Sequence, residues 1–334
     1  MASGKDGSIK VVVTAIAGNT AVTISKFVGW SFTGSASMLA EAVHSLADTF
    51  NQILLFVGIQ RSKQGPSRYY PWGTGQARYV WNLVSAVGIF FVGFGVTAYH
   101  GVHSLMEPRQ VEMGSSLYIN LGILFFALLV EGYALLVAYK EVNSQRGDTA
   151  FFAFLKQSDD PTTLGVLFED AVAVLGIIIA MICIALSRFL GSSTPDAIGA
   201  LIIAVLLGFM ALMLARINGI LLIGVAPHES KVNAIREFIE SFPEVEQLAH
   251  MKTVVIGSGQ LHLALEIEFH GERLVNRDQI SLDVEKIRDG ENPAPILVDT
   301  AERMVRVLGE VINQFESKIK LQFPEVVTIE LELH

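Results

Sequence analysis

Apolar residues run almost unbroken through six stretches of the chain, roughly 8–32, 37–61, 78–105, 116–139, 161–188 and 195–223. Each is long enough to cross a bilayer as a helix, which takes about 20 predominantly apolar residues. After residue 224 charged and apolar positions mix, and no further stretch is long enough to span. The pattern predicts an α-helical membrane protein with six transmembrane helices over 1–224. A C-terminal cytosolic α+β domain of ferredoxin-like type is expected over 225–334.

The periodicity inside the tail supports that division. In "SKVNAIREFIESF", Val232, Ile235, Ile239 and Phe242 fall close to one face of a helix. Period two then takes over, with a strand near 248–256 and another over 260–270. In "LHLALEIEFH", Leu261, Leu263, Leu265, Ile267 and Phe269 alternate with His262, Glu266, Glu268 and His270. "VVTIELELH" repeats the alternation with Ile329, Leu331 and Leu333 inward and Glu330, Glu332 and His334 outward. Between them "DTAERMVRVLGEVINQFESKIKL" predicts a long helix, with Asp299 or Thr300 as N-cap. The order fits a split βαβ layer. Residues 271–296, with Gly290, Pro293 and Pro295, form an insertion whose pattern predicts no element.

Composition agrees with a membrane protein: 51% of the 334 residues are hydrophobic and 17% charged, and the mean hydropathy is +0.47. A net charge of −9 argues against a nucleic-acid partner, which favours a basic face. The single cysteine, Cys183, excludes intrachain disulfides and cysteine-rich metal knuckles. "MASGKDGSIK" lacks the Arg-rich amphipathic pattern of an organelle transit peptide, so the expected location is a prokaryotic inner membrane. Basic residues accumulate in short cytoplasmic loops. Lys5 and Lys10 precede the first span, Arg61, Lys63, Arg68 and Arg78 flank the second loop, and Lys140, Arg146 and Lys156 flank the fourth. The opposite loops are poorer: "FTGSAS" carries no basic residue, the third has Arg109 beside Glu107 and Glu112, and the fifth has Arg188. Both termini are therefore expected to be cytoplasmic.

The chemistry lies in polar groups inside the spans. Glu41, His44, Asp48 and Asn51 recur at helical spacing in "AEAVHSLADTFNQ". His44 and Asp48 share one face, about 6 Å apart along the axis. Glu169 and Asp170 form a second acidic pair in "TTLGVLFEDAVAVLG". Counted from opposite membrane faces, Asp48 and Asp170 lie at similar depth and are expected to meet. Each intramembrane charge costs roughly 2.5–3.5 kcal/mol on insertion scales and usually marks an ion or proton path. No Lys or Arg is expected beside these acids, because Lys26 lies nearer the outer end of its span and is expected to snorkel. A divalent cation then supplies the missing positive charge, since imidazole and carboxylates make a good tetrahedral set for Zn²⁺. The plainer alternative is a buried His–Asp hydrogen bond that knits two helices; a second acidic pair at matched depth weighs against it.

These residues carry a resemblance. Six spans and an acidic α+β tail resemble the cation diffusion facilitator (cation efflux) family, and within it the zinc transporter nine-like branch. "TGSASMLAEAVHSLADT" is similar to that family's entry into its second span, whose HxxxD motif falls on His44 and Asp48. "YYPWGTGQARYVW" is similar to its following loop, and Asp170 matches the aspartate of its fifth-span motif. The histidine of that motif falls on Val166, which cannot bind metal, so one ligand of the usual four is replaced. Glu169 is the first substitute and Glu41 the second. Loop positions where some relatives bind a further cation are Tyr70 and Thr74, so no such site is expected. The resemblance implies a homodimer that exports a divalent cation from the cytosol in exchange for protons, a secondary transporter rather than an enzyme. The chemistry agrees, since metal binding needs neutral His44 and ionised carboxylates and so expels protons. His44 favours Zn²⁺ as the transported ion; with up to three carboxylates beside one imidazole, Mn²⁺, Fe²⁺ and Co²⁺ are alternatives.

Other polar residues have plainer expected roles. Glu131 is a proton-path group or a helix-packing acid, and Asn51 is polar glue between helices. Asp196 is an interfacial first-turn acid. His100 and His103 near the outer mouth are ordinary interfacial histidines before they are an exit site. His250, His262, Glu266, Glu268 and His270 are the solvated face of a sheet before they are a regulatory metal site. Gly88 and Gly95 are expected to let helices approach closely. Two further function classes stand beside transport: an intramembrane metallohydrolase, which lacks HExxH and an obvious nucleophile, and a membrane-anchored metal sensor, which transports nothing.

Overall fold

A computed structural model describes residues 3–110, 116–146, 151 and 161–334. Glu112 and Lys156, used above for orientation, lie outside the described residues, as do the side chains of Lys5 and Lys10. The chain forms two compact units, residues 1–65 with 76–223, and residues 66–75 with 224–334. The loop Pro66–Gly75 thus belongs with the tail unit, an assignment that the boundary at 224 did not anticipate.

The first unit is a helical bundle. It contains α1 (Ser3–Thr33), α2 (Ala36–Arg61), α3 (Ala77–Met106), α4 (Ser116–Gln145), α5 (Pro161–Leu190) and α6 (Thr194–Ile223). Among the described residues five of these, α2 to α6, are long and apolar enough to cross a membrane. Phe91, Val205, Phe209 and Leu212 are exposed on the outside of the bundle, as lipid-facing side chains are. The interior is built from Met38, Ile89, Leu124, Ile177, Ile203 and Leu207.

Local sequence explains where these helices stop and how closely they pack. Gly34 ends α1 in the left-handed conformation at φ 63°, and its N–H donates to the Trp30 carbonyl at 2.7 Å, the geometry that only glycine adopts without strain. Residues Ile89–Val96 in the middle of α3 wind as a π-helix through the apolar run "IFFVGFGV". Gly88 and Gly95 do not serve close approach as expected: a Cβ on Gly88 would meet nothing within 4 Å, and one on Gly95 only a backbone carbonyl of its own helix. The close approaches fall elsewhere. A Cβ at Gly101 would lie 2.8 Å from Leu201, and one at Gly199 2.6 Å from Ser37 Oγ and 2.9 Å from Cys183 Sγ. Helical period alone does not tell which glycine of a span faces a neighbour and which faces lipid.

The tail unit contains α7 (Glu229–Glu240), β1 (Val245–Gly257), β2 (Gln260–Phe269), α8 (Arg277–Arg288), α9 (Pro293–Gln322) and β3 (Val326–Leu333). The sheet order is β1-β2-β3, antiparallel across the Gly257–Gln260 hairpin and parallel between β2 and β3. The alternation read from "LHLALEIEFH" holds: Leu261, Leu263, Leu265 and Ile267 are buried, packed with Ile235, Ile239, Phe315 and Ile319 from the helices. Leu333 is 55% exposed, so the inward pattern of β3 fades toward its end.

The insertion contains α8, capped by Asn276, whose side chain accepts from the N–H groups of Asp278 and Gln279. The long helix begins at Pro293, not near 299. Asn292 caps it, and Pro293 sits in the first turn, where a missing N–H costs no hydrogen bond. Asp299 and Thr300 have another use: Arg303 bridges Asp283 and Asp299, and Thr300 donates to Asp283 at 3.1 Å, tying α8 to α9.

Candidate metal site

Four carboxyl residues from three helices line one cavity in the first unit. Asp48 comes from α2, Glu131 from α4, and Glu169 and Asp170 from α5; Asn19, Ser45, Asn51 and Gln52 add polar atoms to a volume of about 170 Å³. The cavity also reaches Leu55 and Val166, so it runs from the middle of the bundle toward the helix ends at Arg61 and Pro161. Asp48 and Asp170 therefore meet the same space, as their matched depth predicted.

Glu169 is held in place from α2. Asn51 Nδ2 donates to both of its carboxylate oxygens, at 2.8 and 2.9 Å, while Ser85 Oγ donates to Asn51 Oδ1 at 2.7 Å. Asn51 is thus a positioning group for the acid of the opposite helix, a more specific role than packing glue. Val166 lines the cavity without offering a donor atom.

His44 lies just off the cavity wall. Its Nε2 is 3.5 Å from Asp48 Oδ2, the ring is 1% exposed, and neither nitrogen has a hydrogen-bond partner. Asp48 Oδ1 and Glu131 Oε2 are likewise buried without a donor. Unsatisfied buried polar atoms are costly, and imidazole nitrogens and carboxylate oxygens are atom types able to coordinate a divalent cation. Among the described residues, however, no three His, Cys, Asp or Glu side chains close to metal-binding distance. The groups share a chamber and are not gathered on one point.

Lys26 corrects the sequence expectation. It is 0% exposed, and it does not snorkel: Nζ donates to Glu41 Oε2 at 2.9 Å, Ser45 Oγ at 2.7 Å and Glu131 Oε1 at 3.0 Å. A basic group therefore does neutralise buried acids in the bundle, and Glu41 is engaged by it and is not among the residues lining the cavity. The other oxygen of Glu41 faces a notch on α5, where a Cβ at Gly176 would come within 2.5 Å of it. The signal in the sequence is a lysine in an apolar span with glutamates at similar depth, but a reach of four methylenes serves a membrane edge as well as a buried acid.

Asp196 is also more than an interfacial acid. Its carboxylate accepts from Ser35 Oγ at 2.8 Å and from the backbone N–H groups of Ala36 and Ser37 at 2.7 and 3.1 Å, so α6 caps the start of α2. At that end His100, His103, Glu107 and Arg109 border a separate cavity of about 480 Å³.

Comparison with known proteins agrees with this architecture. The cation efflux transmembrane domain matches residues 12–223. The mitochondrial proton-coupled zinc antiporter of Mus musculus is 36% identical over 98% of this chain and 59% of its own length. Metal tolerance protein C4 of Arabidopsis thaliana is 32% identical over 98% of the chain and 74% of its own length. The magnetosome protein MamM of Magnetospirillum gryphiswaldense is 28% identical over 29% of the chain and 33% of its own. The chain spans only 59% of the length of the mouse antiporter. An apolar helical bundle with an acid-lined chamber, a small mixed α+β tail and a family match over most of the chain place this protein in the cation diffusion facilitator family, in the branch that holds the mitochondrial zinc antiporters.

Proposed function

We propose that this integral membrane protein exchanges a divalent cation, Zn²⁺ foremost, for protons, and that it exports the metal from the cytosol. The observation that carries this reading is the chamber where Asp48 and Glu131 from two helices face Glu169 and Asp170 from a third. Carboxyl groups brought together out of water hold protons in the absence of a cation and give them up to one, so binding of metal and of protons is mutually exclusive. The proposed ligands are His44, Asp48, Asp170 and Glu169. Glu41 is the weaker candidate because Lys26 engages it. His44 stands beside Asp48, with its Nε2 3.5 Å from Asp48 Oδ2, and in this reading gathering the four groups is the closing step of an alternating-access cycle.

The relatives named as proton-coupled zinc antiporters support the same exchange and the same metal. A second reading, transport of Mn²⁺ or Fe²⁺, is favoured by the lining itself, which presents four carboxyl groups while the one imidazole stands off the wall. Homodimerisation is proposed with the function. The prokaryotic inner membrane expected from the N-terminus finds no support among relatives that include mitochondrial proteins.

The deciding experiment is uptake of Zn²⁺ and of Mn²⁺ into vesicles of reconstituted protein under an imposed pH gradient. Wild type is expected to accumulate metal with dissipation of the gradient, and Asp48→Ala and Asp170→Ala to do neither while still inserting. Unchanged flux in both variants refutes the site.

A further inference from the structure

The cradle around Lys26 has more capacity than one ammonium uses. Two carboxyl groups, Glu41 and Glu131, and the Ser45 hydroxyl converge on a single Nζ within 3.0 Å. All three N–H donors of the ammonium are consumed. Yet Glu41 Oε1 and Glu131 Oε2 remain buried with no donor. Two acids against one unit of positive charge, with two carboxylate oxygens left over, are an excess that neither helix packing nor a simple ion pair requires. The same excess suits a hard divalent cation, which takes oxygen ligands and carries twice the charge. Glu131 is shared: one oxygen meets Lys26 and the residue also lines the chamber.

We propose that Glu41, Ser45 and Glu131 form a latent all-oxygen subsite for a divalent cation beside the transport chamber, and that the tethered ammonium of Lys26 occupies it permanently. The lysine thereby limits the bundle to one exchangeable ion per chain. It also withholds one oxygen of Glu131 from the chamber, so an incoming metal meets a carboxylate that is already half engaged and is released more readily. The subsite is built from elements that α1, α2 and α4 bring together, and Gly176 on α5 leaves the room that Glu41 needs. The inference rests on the transport reading only in taking the chamber as the cation path.

The test counts bound metal on the full chain in detergent, with Mn²⁺ as the probe because the subsite offers oxygen alone. Lys26→Ala is expected to bind one Mn²⁺ per chain more than wild type, and Lys26→Ala/Glu131→Gln to lose that additional equivalent. Lys26→Arg, which restores a tethered cation, is expected to bind the wild-type number. An unchanged count in Lys26→Ala overturns the proposal. Should Lys26→Ala fail to fold when purified alone, the proposal requires that millimolar Mn²⁺ or ethylammonium during solubilisation restore a monodisperse protein. No recovery with either ion overturns it equally. A wild-type chain that transports no metal contradicts the transport reading alone, since the subsite is read from the difference that the lysine makes.

Discussion

Asn51 on α2 grips Glu169 on α5 through both carboxylate oxygens, and Ser85 on α3 fixes the Asn51 amide in turn. This relay determines where one of the chamber acids points. Removing groups that orient a metal ligand typically costs about 10- to 100-fold in affinity or activity. Asn51→Ala is therefore expected to lower metal uptake by about that factor and leave the fold intact, whereas Ser85→Ala, one step further out, costs less. Initial uptake rates at saturating and at subsaturating metal check it. Equal rates in wild type and Asn51→Ala remove Glu169 from the working site.

Asp196 supplies a prediction about stability alone. Its carboxylate takes two backbone N–H groups and one hydroxyl at the start of α2 while only 6% exposed. Hydrogen bonds to a charged acceptor contribute about 1.5–3 kcal/mol each, less than additively, and loss of a helix cap costs roughly 0.5–2 kcal/mol. Asp196→Ala is expected to destabilise the bundle by about 2 kcal/mol or more, seen as a lower melting temperature in detergent, and Asp196→Asn by less. Metal affinity of the folded fraction should not change, because the chamber residues lie elsewhere on α2.

How much of this was readable beforehand depends on the kind of information each feature needs. The six apolar runs and the alternation of "LHLALEIEFH" are one-dimensional periodicities, and they translated directly into α1 to α6 and β2. Asp48 and Asp170 border one chamber, in keeping with their similar depth, which is also a count along the chain. Lys26 did not follow, since whether a long basic side chain snorkels or turns inward depends on which face of α1 meets α2 and α4. The role of Asp196 does not follow from the sequence for a related reason: its partners are the Ser35 hydroxyl and the backbone N–H groups of Ala36 and Ser37, about 160 positions away, and spacing along the chain does not pair them. The start of α9 is not legible because Pro293 and Pro295 look like loop residues, although a first helical turn accepts them.

Glycine substitutions separate packing from mere composition. Gly199 and Gly88 both lie inside helices, but a methyl on Gly199 would press on Ser37 and Cys183 while one on Gly88 would meet open space. Overpacking a filled interface costs typically about 1–3 kcal/mol, and Ala in place of an unneeded helical Gly contributes roughly 0.5–1 kcal/mol. Gly199→Ala is expected to lower the melting temperature, and Gly88→Ala to leave it unchanged or raise it. The reverse order is incompatible with the packing of α2, α5 and α6 described above.

The tail supplies a pH dependence whose sign follows from one carboxylate held between two histidines. Glu266 on β2 lies 2.7 Å from His334 Nδ1 and 3.4 Å from His250 Nδ1 of β1. The hydrogen bond to His334 holds the Glu266 carboxyl below the usual carboxylate range, and the same bond raises the His334 imidazole. A raised histidine stabilises fully below its ordinary value of about 6.5 and loses that contribution as pH climbs through the raised one. A depressed carboxylate stabilises above its ordinary value of about 4.3 and loses that contribution as pH falls through the depressed one. Both contributions overlap between about pH 4.5 and 6.5, so Glu266→Gln should weaken the tail most in that window and progressively less toward pH 8.5. The chain has three tryptophans, and Trp72 packs against His262 in the tail unit at 5.3 Å between ring centroids. In a Trp30→Phe/Trp81→Phe background its fluorescence reports unfolding of that unit alone, and urea midpoints with and without Glu266→Gln measure the effect across pH. A difference between the two midpoints that stays constant from pH 5 to 8.5 contradicts the pairing, because an uncharged structural role has no reason to fade where the imidazole loses its proton.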